Sequence, residues 1–499
     1  MTSTVPGSAP GAKGLRGGAL GLLSSVVIGV ASTAPAYSTA ATIGLVVAIL
    51  GVHTPGMLVF SFVPMLFVAV AFREFNQVDP DCGTTFSWVT RAFGPIAGWL
   101  GGWGMVAACV VVMSSVAQVA AQYTFLLFGA DGLAANHVWL TVGGVVFIAV
   151  LTVVCYLGIE ISARLQSALL AIELVTILLF AVVALVKVWT GHGLVTGSEP
   201  SAGWFNPLHG SFSDLSDAFL LTIFIYWGWD TSLSLNEETK DSSATPGRAA
   251  VIATVLLVGV FALVSTAMIA FAGPAFLAKN SADAIGAVGP LVFGSWAGKL
   301  LVLCVLTSTA ASTQTTIMPT ARATLSMGAH RALPAVFARV HPRFQTPGFS
   351  TIGMGVVSAA LFVGLSAIST NVLADSASAV GLLIAFYYGI TALACPWYFR
   401  ATLRASGRNL LLQGVLPLVG GGFMVAAFVL SVKSYLPASS SYSSLGGVGG
   451  VFLLGAGSLL LGVVVMALLW PRHREFFRRR PVAAPAEEPA AVLLPEPAV

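Results

Sequence analysis

The chain of 499 residues is 57 % hydrophobic and 8 % charged, with a formal net charge of +4. Soluble domains carry about a quarter of their residues as charges, so this composition excludes an ordinary soluble protein. The apolar residues form continuous runs of ~17–25, each long enough to cross ~30 Å of hydrocarbon as a helix. They do not alternate as the strands of a membrane barrel would. Cys82, Cys109, Cys155, Cys304 and Cys395 show no CxxC spacing, which argues against a disulfide framework and against a zinc site. All seven histidines fall in loops or flanks, so paired haem ligands within a membrane are not available.

Residues 1–18 are rich in Gly, Ser, Ala and Pro and are expected to be a disordered N-terminal segment. Ala19 to Leu50 reads as one long first span, because apolar sequence resumes after Ala36 and a cleaved signal would not need it. That span is interrupted at Ser32-Thr33-Ala34-Pro35. Proline lacks the backbone donor and clashes with the carbonyl four residues earlier, so carbonyls near Val30 and Ala31 should lose their partners. Such a defect is tolerable in hydrocarbon only where other groups satisfy them. Read alone, the same residues also fit a plain proline kink.

The second span is expected over Gly56 to Phe72, followed by a charged segment from Arg73 to Phe93 outside the bilayer. A third span ends near Phe128; the fourth and fifth cover Trp139 to Leu157 and Leu165 to Trp189. After a loop at 190–212 comes the sixth, Ser213 to Asn236, with Tyr226-Trp227-Gly228-Trp229-Asp230 inside it. Thr245-Pro246 reads as a helix start for a seventh span through Ala272. The eighth, Trp296 to Ala323, is rich in hydroxyls that pack closely or coordinate a cation. Spans nine to twelve fall near Ser350 to Ile368, Ala377 to Phe399, Leu410 to Val432 and Gly447 to Trp470. The tail, 471–499, is basic and then Pro/Ala-rich, and is expected to be disordered.

With a cytoplasmic N-terminus, only Lys187, Lys279, Lys299 and Lys433 of the 23 Lys and Arg fall outside the cytoplasmic segments. The positive-inside rule therefore supports twelve spans with both ends cytoplasmic. The Arg478-Arg479-Arg480 cluster fits a juxtamembrane flank better than a nucleic-acid site.

Only Glu173 and Asp230 are ionisable residues deep within spans. A charge there costs about 2.5–3.5 kcal/mol on insertion scales, so it usually faces a protein-lined cavity. Asp230 lies beside Gly228, which weakens the sixth helix. Spans one and six are thus both broken, at corresponding places of two successive five-span halves, the pattern of an inverted-repeat transporter with a midplane site. Half-helix N-termini offer N–H groups to an anion, while unwound carbonyls suit an ammonium or small cation. Ser32, Thr33, Ala34, Pro35, Tyr226, Trp227, Gly228 and Trp229 are the expected substrate-binding set. Asp230 and Glu173 are the candidates for coupling to a proton or facing an ammonium.

Several stretches carry a family resemblance: Arg91-Ala92-Phe93-Gly94-Pro95 with Gly98-Trp99-Leu100, Gly158 through Glu173, Gly228-Trp229-Asp230 with Glu237-Glu238-Thr239-Lys240, and Arg322 through Pro347. In this order and spacing the chain resembles the amino acid-polyamine-organocation permeases, most closely their bacterial amino acid permeases. The resemblance implies an all-α fold of ten core helices in two inverted five-helix repeats, 19–189 and 213–400, plus two peripheral helices in 401–470. It also implies uptake of amino acids or related amines by alternating access in the bacterial cytoplasmic membrane, often proton-driven. Thr33-Ala34-Pro35 matches the helix-one break whose N–H groups bind the substrate carboxylate, although Pro35 has none. Glu173 matches a position where some members place a lysine in the role of a sodium ion, so proton coupling, sodium coupling and exchange all stay open. No enzyme constellation is found, and no cofactor is implied. A transporter-like nutrient receptor without flux is the alternative of another class. Neither the oligomeric state nor the particular substrate is legible.

Overall fold

The computed structural model describes residues 13–195, 199–368 and 372–478. The expected disordered ends at 1–12 and 479–499, with Arg479 and Arg480, lie outside the described residues.

The first helical run comprises α1 (Leu22–Thr33), α2 (Pro35–Ser38), a π-turn at Thr39–Ile43, α3 (Gly44–Leu50) and α4 (Thr54–Val78). It spans 57 residues. A straight helix of that length would measure ~85 Å, far beyond ~30 Å of hydrocarbon, so it has to turn. Its left-handed residues are Ala34 (φ 46°) and Gly51 (φ 57°). Then follow α5 (Thr85–Phe93), α6 (Pro95–Leu127), α7 (Asp131–Ala134), α8 (His137–Tyr156) and α9 (Ile159–Trp189).

The sixth expected span is divided into α10 (Phe212–Tyr226) and α11 (Thr231–Ser234). Beyond it lie α12 (Thr245–Ala272), α13 (Pro274–Lys279), α14 (Ala284–Phe293), α15 (Ser295–Ala329), α16 (Gly348–Ile368) and α17 (Val372–Tyr398). The last group is α18 (Gly407–Asn409), α19 (Leu416–Ser434), α20 (Gly450–Leu454), α21 (Ala456–Leu469) and α22 (Arg474–Phe477).

Ten helical runs among the described residues are long and apolar enough to cross a membrane. The sequence predicts twelve spans. The difference arises at the breaks: α1 to α4 form one run through two expected spans, and α10, with fifteen residues, is shorter than the ~20 a span needs.

In the interior, α12 packs on α4, α17 on α6 and α19, and α15 on α6 and α9. The helix α8 instead turns Val142, Val146, Val150 and Val153 outward. That spacing of three and four places them on one stripe, as a lipid-facing helix requires.

Three boundaries differ from expectation. Within the segment expected outside the bilayer, α5 buries Phe86, Trp88 and Val89 and packs on α6. Helix α9 begins at Ile159, six residues before the expected start, which puts Glu173 near its middle. The terminal segments are packed where they are described. Leu15 is fully buried with Cys82 and Leu325, Leu20 bridges to Thr239, and Phe476 and Phe477 bury against Phe86 and Trp99. The disorder expected up to residue 18, and from 471, therefore does not extend to 13–18 or to 471–478; composition alone missed these apolar anchors.

Candidate functional site

The broken first and sixth spans meet. Helix α1 ends at Thr33, and Ala34 takes a left-handed conformation before α2 begins at Pro35. The freed carbonyls find local donors: Ala31 O accepts the Ala34 N–H at 3.1 Å, and Val30 O accepts the Thr33 hydroxyl at 2.7 Å. Across from it, α10 ends at Tyr226 and Gly228 adopts φ 126°. A Cβ on Gly228 would lie 2.6 Å from the Ser32 carbonyl carbon, so only glycine lets the two breaks approach. Ser32 Oγ and Thr231 Oγ1 are 2.8 Å apart. Thr231 also donates to Thr315 O at 3.2 Å, the carbonyl that Pro319, four residues on in α15, leaves without a helical donor.

Between these elements lies a cavity of about 10 Å³, lined by Ser32, Trp227, Gly228, Asp230, Thr231 and Tyr387 together with Met105, Cys109, Thr315, Thr316 and Pro319. It has room for no more than about one water. Asp230 is buried; its Oδ2 accepts the Tyr387 hydroxyl at 3.0 Å, and Tyr387 in turn accepts the Trp227 indole N–H.

The expected residues therefore separate into groups. Ser32, Trp227, Gly228 and Asp230 share the cavity wall. Trp229 turns away, packing its ring on Phe72 and Tyr388. Tyr226 also turns away, donating to Leu58 O at 3.1 Å and meeting Phe261 edge-on. Thr33, Ala34 and Pro35 form the break itself and do not line the cavity.

Glu173 joins the break from the other side. Its Oε1 accepts the Ala36 N–H at 2.8 Å and the Ser308 hydroxyl at 2.7 Å. Ser308 accepts the Tyr37 N–H at 3.0 Å. The other eighth-span hydroxyls mostly bond back along α15: Thr313 to Thr309 O and Thr315 to Ala311 O. Sequence reasoning missed Tyr387, and read Ser308 only as one of the eighth-span hydroxyls and not as the partner of Glu173. The signal for the first was present in the Tyr387-Tyr388 pair, since tyrosine hydroxyls buried in an apolar span need partners.

A second polar cluster closes the face where both described termini lie. Lys13 Nζ stands 2.9 Å from Asp81 Oδ2, 2.7 Å from Glu237 Oε1 and 3.6 Å from Cys82 Sγ. Asp81, Cys82 and Glu237 could together hold a metal ion, but the lysine ammonium supplies the positive charge among them. Burial would raise the Asp81 carboxyl, yet Lys13, His330 and the Ser326 hydroxyl outweigh it and hold it below its ordinary range. Burial would lower the Lys13 ammonium, but Cys82, Asp81 and Glu237 raise it. Deeper in, Arg322 and Glu238 form a two-pronged buried pair at 2.9 and 3.1 Å.

Comparison with known proteins agrees with this architecture. The family model for amino acid permeases matches residues 19–470. An uncharacterized transporter of Mycobacterium tuberculosis is 29 % identical over 354 residues, covering 68 % of this chain and 73 % of the relative. The vacuolar cationic amino acid transporter 4 of Arabidopsis thaliana is 26 % identical, covering 67 % and 56 %. A methylthioribose transporter of Bacillus subtilis is 26 % identical over 324 residues, covering 60 % and 65 %. With its multiple apolar helices and this match over most of its length, the chain belongs to the amino acid permease family of the amino acid-polyamine-organocation superfamily.

Proposed function

We propose that this protein is a secondary transporter moving an amino acid or related amine across the bacterial cytoplasmic membrane by alternating access. The observation that carries the reading is the contact of two broken helices around a buried carboxylate, Asp230, with Ser32 and Thr231 joined across the gap. Irregular backbone at membrane depth is tolerated only where it is buried in protein or lines a cavity, and transporters place their substrates there. In this reading α1 to α9 and α10 to α17 are two inverted five-span repeats, α19 and α20–α21 are peripheral, and both termini are cytoplasmic.

Asp230 is the group that meets a substrate ammonium or a coupling proton; Tyr387 orients it and Trp227 covers it. Relatives named for cationic amino acids and for methylthioribose are consistent with a substrate class wider than one amino acid type. Coupling to protons accounts best for an unpaired buried carboxylate; sodium coupling and exchange are the alternatives. The test is counterflow in proteoliposomes with Asp230→Asn. Loss of pH-gradient-driven uptake with retained folding supports the assignment. Unchanged uptake and pH dependence in the variant would remove Asp230 from the mechanism, and binding without any exchange of label would indicate a receptor.

A further inference from the structure

A helix N-terminus inside a membrane is the natural place for the anionic part of a ligand, because its first N–H groups have no partner within the helix and the dipole end is positive. At the first break every such donor is already in use. The helical run that starts at Pro35 continues through the π-turn to Leu50. Ala34 N–H donates to Ala31 O, and Pro35 has no N–H. Ala36 N–H donates to Glu173 Oε1 at 2.8 Å. Tyr37 N–H donates to Ser308 Oγ at 3.0 Å, and Ser308 passes its own proton to the same Glu173 oxygen at 2.7 Å. Ser38 N–H already bonds within the helix, to Ala34 O at 2.8 Å.

Glu173, directly and through Ser308, thus takes the donors that this helix end would offer a ligand's carboxylate. It is fully buried, and its Oε2 has no hydrogen-bond partner. At the second break the residue preceding α11 is Asp230, whose carboxylate makes no bond to that helix start and accepts the Tyr387 hydroxyl at the cavity wall. Among the described residues, no Lys or Arg forms an ion pair with either group. The cavity therefore holds one carboxylate, Asp230, with hydroxyl and carbonyl acceptors, and the first break beside it has no spare amide donor because Glu173 and Ser308 occupy them.

We propose that Glu173 is a built-in replacement for the substrate carboxylate, and that the substrate class is an amine lacking an α-carboxylate, held through its ammonium at Asp230. The proposal rests on the transporter reading above and narrows it. A protonated amine brings an ammonium to the cavity wall where Asp230 and its neighbouring hydroxyls offer acceptors. An amino acid would bring its own carboxylate to a helix end with no donor left, and a site that leaves a polar group unpaired discriminates strongly against the ligand that carries it.

The test uses the full-length protein in proteoliposomes with matched probes that differ only by the carboxylate: ornithine and putrescine, lysine and cadaverine, serine and ethanolamine, phenylalanine and 2-phenylethylamine. Saturation of counterflow provides an apparent affinity for each. In the native protein at least one amine should exceed its parent amino acid by about tenfold or more. Glu173→Ala, which frees the Ala36 donor, should narrow that ratio by about tenfold by admitting the amino acid. Ser308→Ala frees only the Tyr37 donor and should narrow it less. If Glu173→Ala does not fold, the native ratios and Ser308→Ala decide.

The proposal is overturned if every amino acid matches or exceeds its amine. It is equally overturned if folded variants keep the native ratios. Both of those results leave the transporter reading standing, whereas failure of all eight probes to exchange sinks the transporter reading and this proposal with it.

Discussion

Two single residues decide whether the broken spans can form the site. Gly228 combines a φ of 126° with a backbone approach that leaves no room for a Cβ beside Ser32. Gly228→Ala should cost about 1–3 kcal/mol in backbone strain and a similar amount, about 1–3 kcal/mol, in overpacking. The expected outcome is a lowered melting temperature in detergent and loss of counterflow; a variant with native melting and native exchange would show that the breaks do not need this contact. The Tyr387 hydroxyl joins Asp230 to the Trp227 indole. Removing it in Tyr387→Phe leaves two buried polar groups short of a partner at about 1–3 kcal/mol each, so the melting temperature in detergent should fall, and uptake should fall with it by about tenfold or more. Asp230 and Glu173 were legible in the sequence because a carboxylate in an apolar run is conspicuous. Tyr387 and Ser308 were not. Their role comes from meeting partners 157 and 135 positions away, and hydropathy carries no record of such pairs.

Among the elements, the segment before the first span departs most from its expected character. Its Gly- and Pro-rich composition suggests disorder, yet from Lys13 onward it is pinned by one ammonium among three acidic or thiol groups and by one buried leucine. Composition averages over a stretch, whereas two residues suffice to anchor it. The loop it sits on carries two aspartates with opposite linkage. Asp81, held below its ordinary value, contributes stability above the unfolded carboxyl pKa of about 4 that is lost as pH falls below it. Asp79 is pushed up to about 6 by burial, which the half-exposed Arg91 at 2.6 Å only partly offsets. Between about 4 and about 6 the folded chain therefore binds more protons at Asp79 than the unfolded chain, and stability falls as pH rises through that window. Asp79→Asn should remove this decline. Melting temperatures of native and variant protein measured from pH 4 to 7 check it; parallel curves would mean that Asp79 contributes no linkage.

For the whole molecule, the spans and their charge asymmetry were readable because hydrophobic run length is a local property. Which spans lie against one another, and that this structure is closed, were not. A cavity of about 10 Å³ cannot hold even a small amine, so transport requires the two breaks to part. The face bearing the termini is fastened by Lys13 to Asp81 and Glu237, by Arg322 to Glu238, and by Arg331 to Glu475 at 2.5 Å. These pairs tie the N-terminal segment, the α4–α5 loop, the stretch after α11, α15 and α22 together. Cys82 sits under this closure, fully buried, with its thiol donating to Arg322 O at 3.5 Å. Burial pushes the Cys82 thiol well above its ordinary value, and the thiolate is the reactive form. In the closed structure it should therefore resist a membrane-impermeant maleimide applied from the side on which the termini lie. The remaining cysteines, Cys109, Cys155, Cys304 and Cys395, are buried within helices, so Cys82 is the natural reporter. Lys13→Ala, or addition of a transported amine to the native protein, should raise its labelling rate from that side by about tenfold, as loss of about 1.4 kcal/mol of closure would. Cys82→Ser should abolish the signal. If labelling of Cys82 is unmoved by both Lys13→Ala and substrate, this face does not open during the cycle, and the exit path from Asp230 has to run elsewhere.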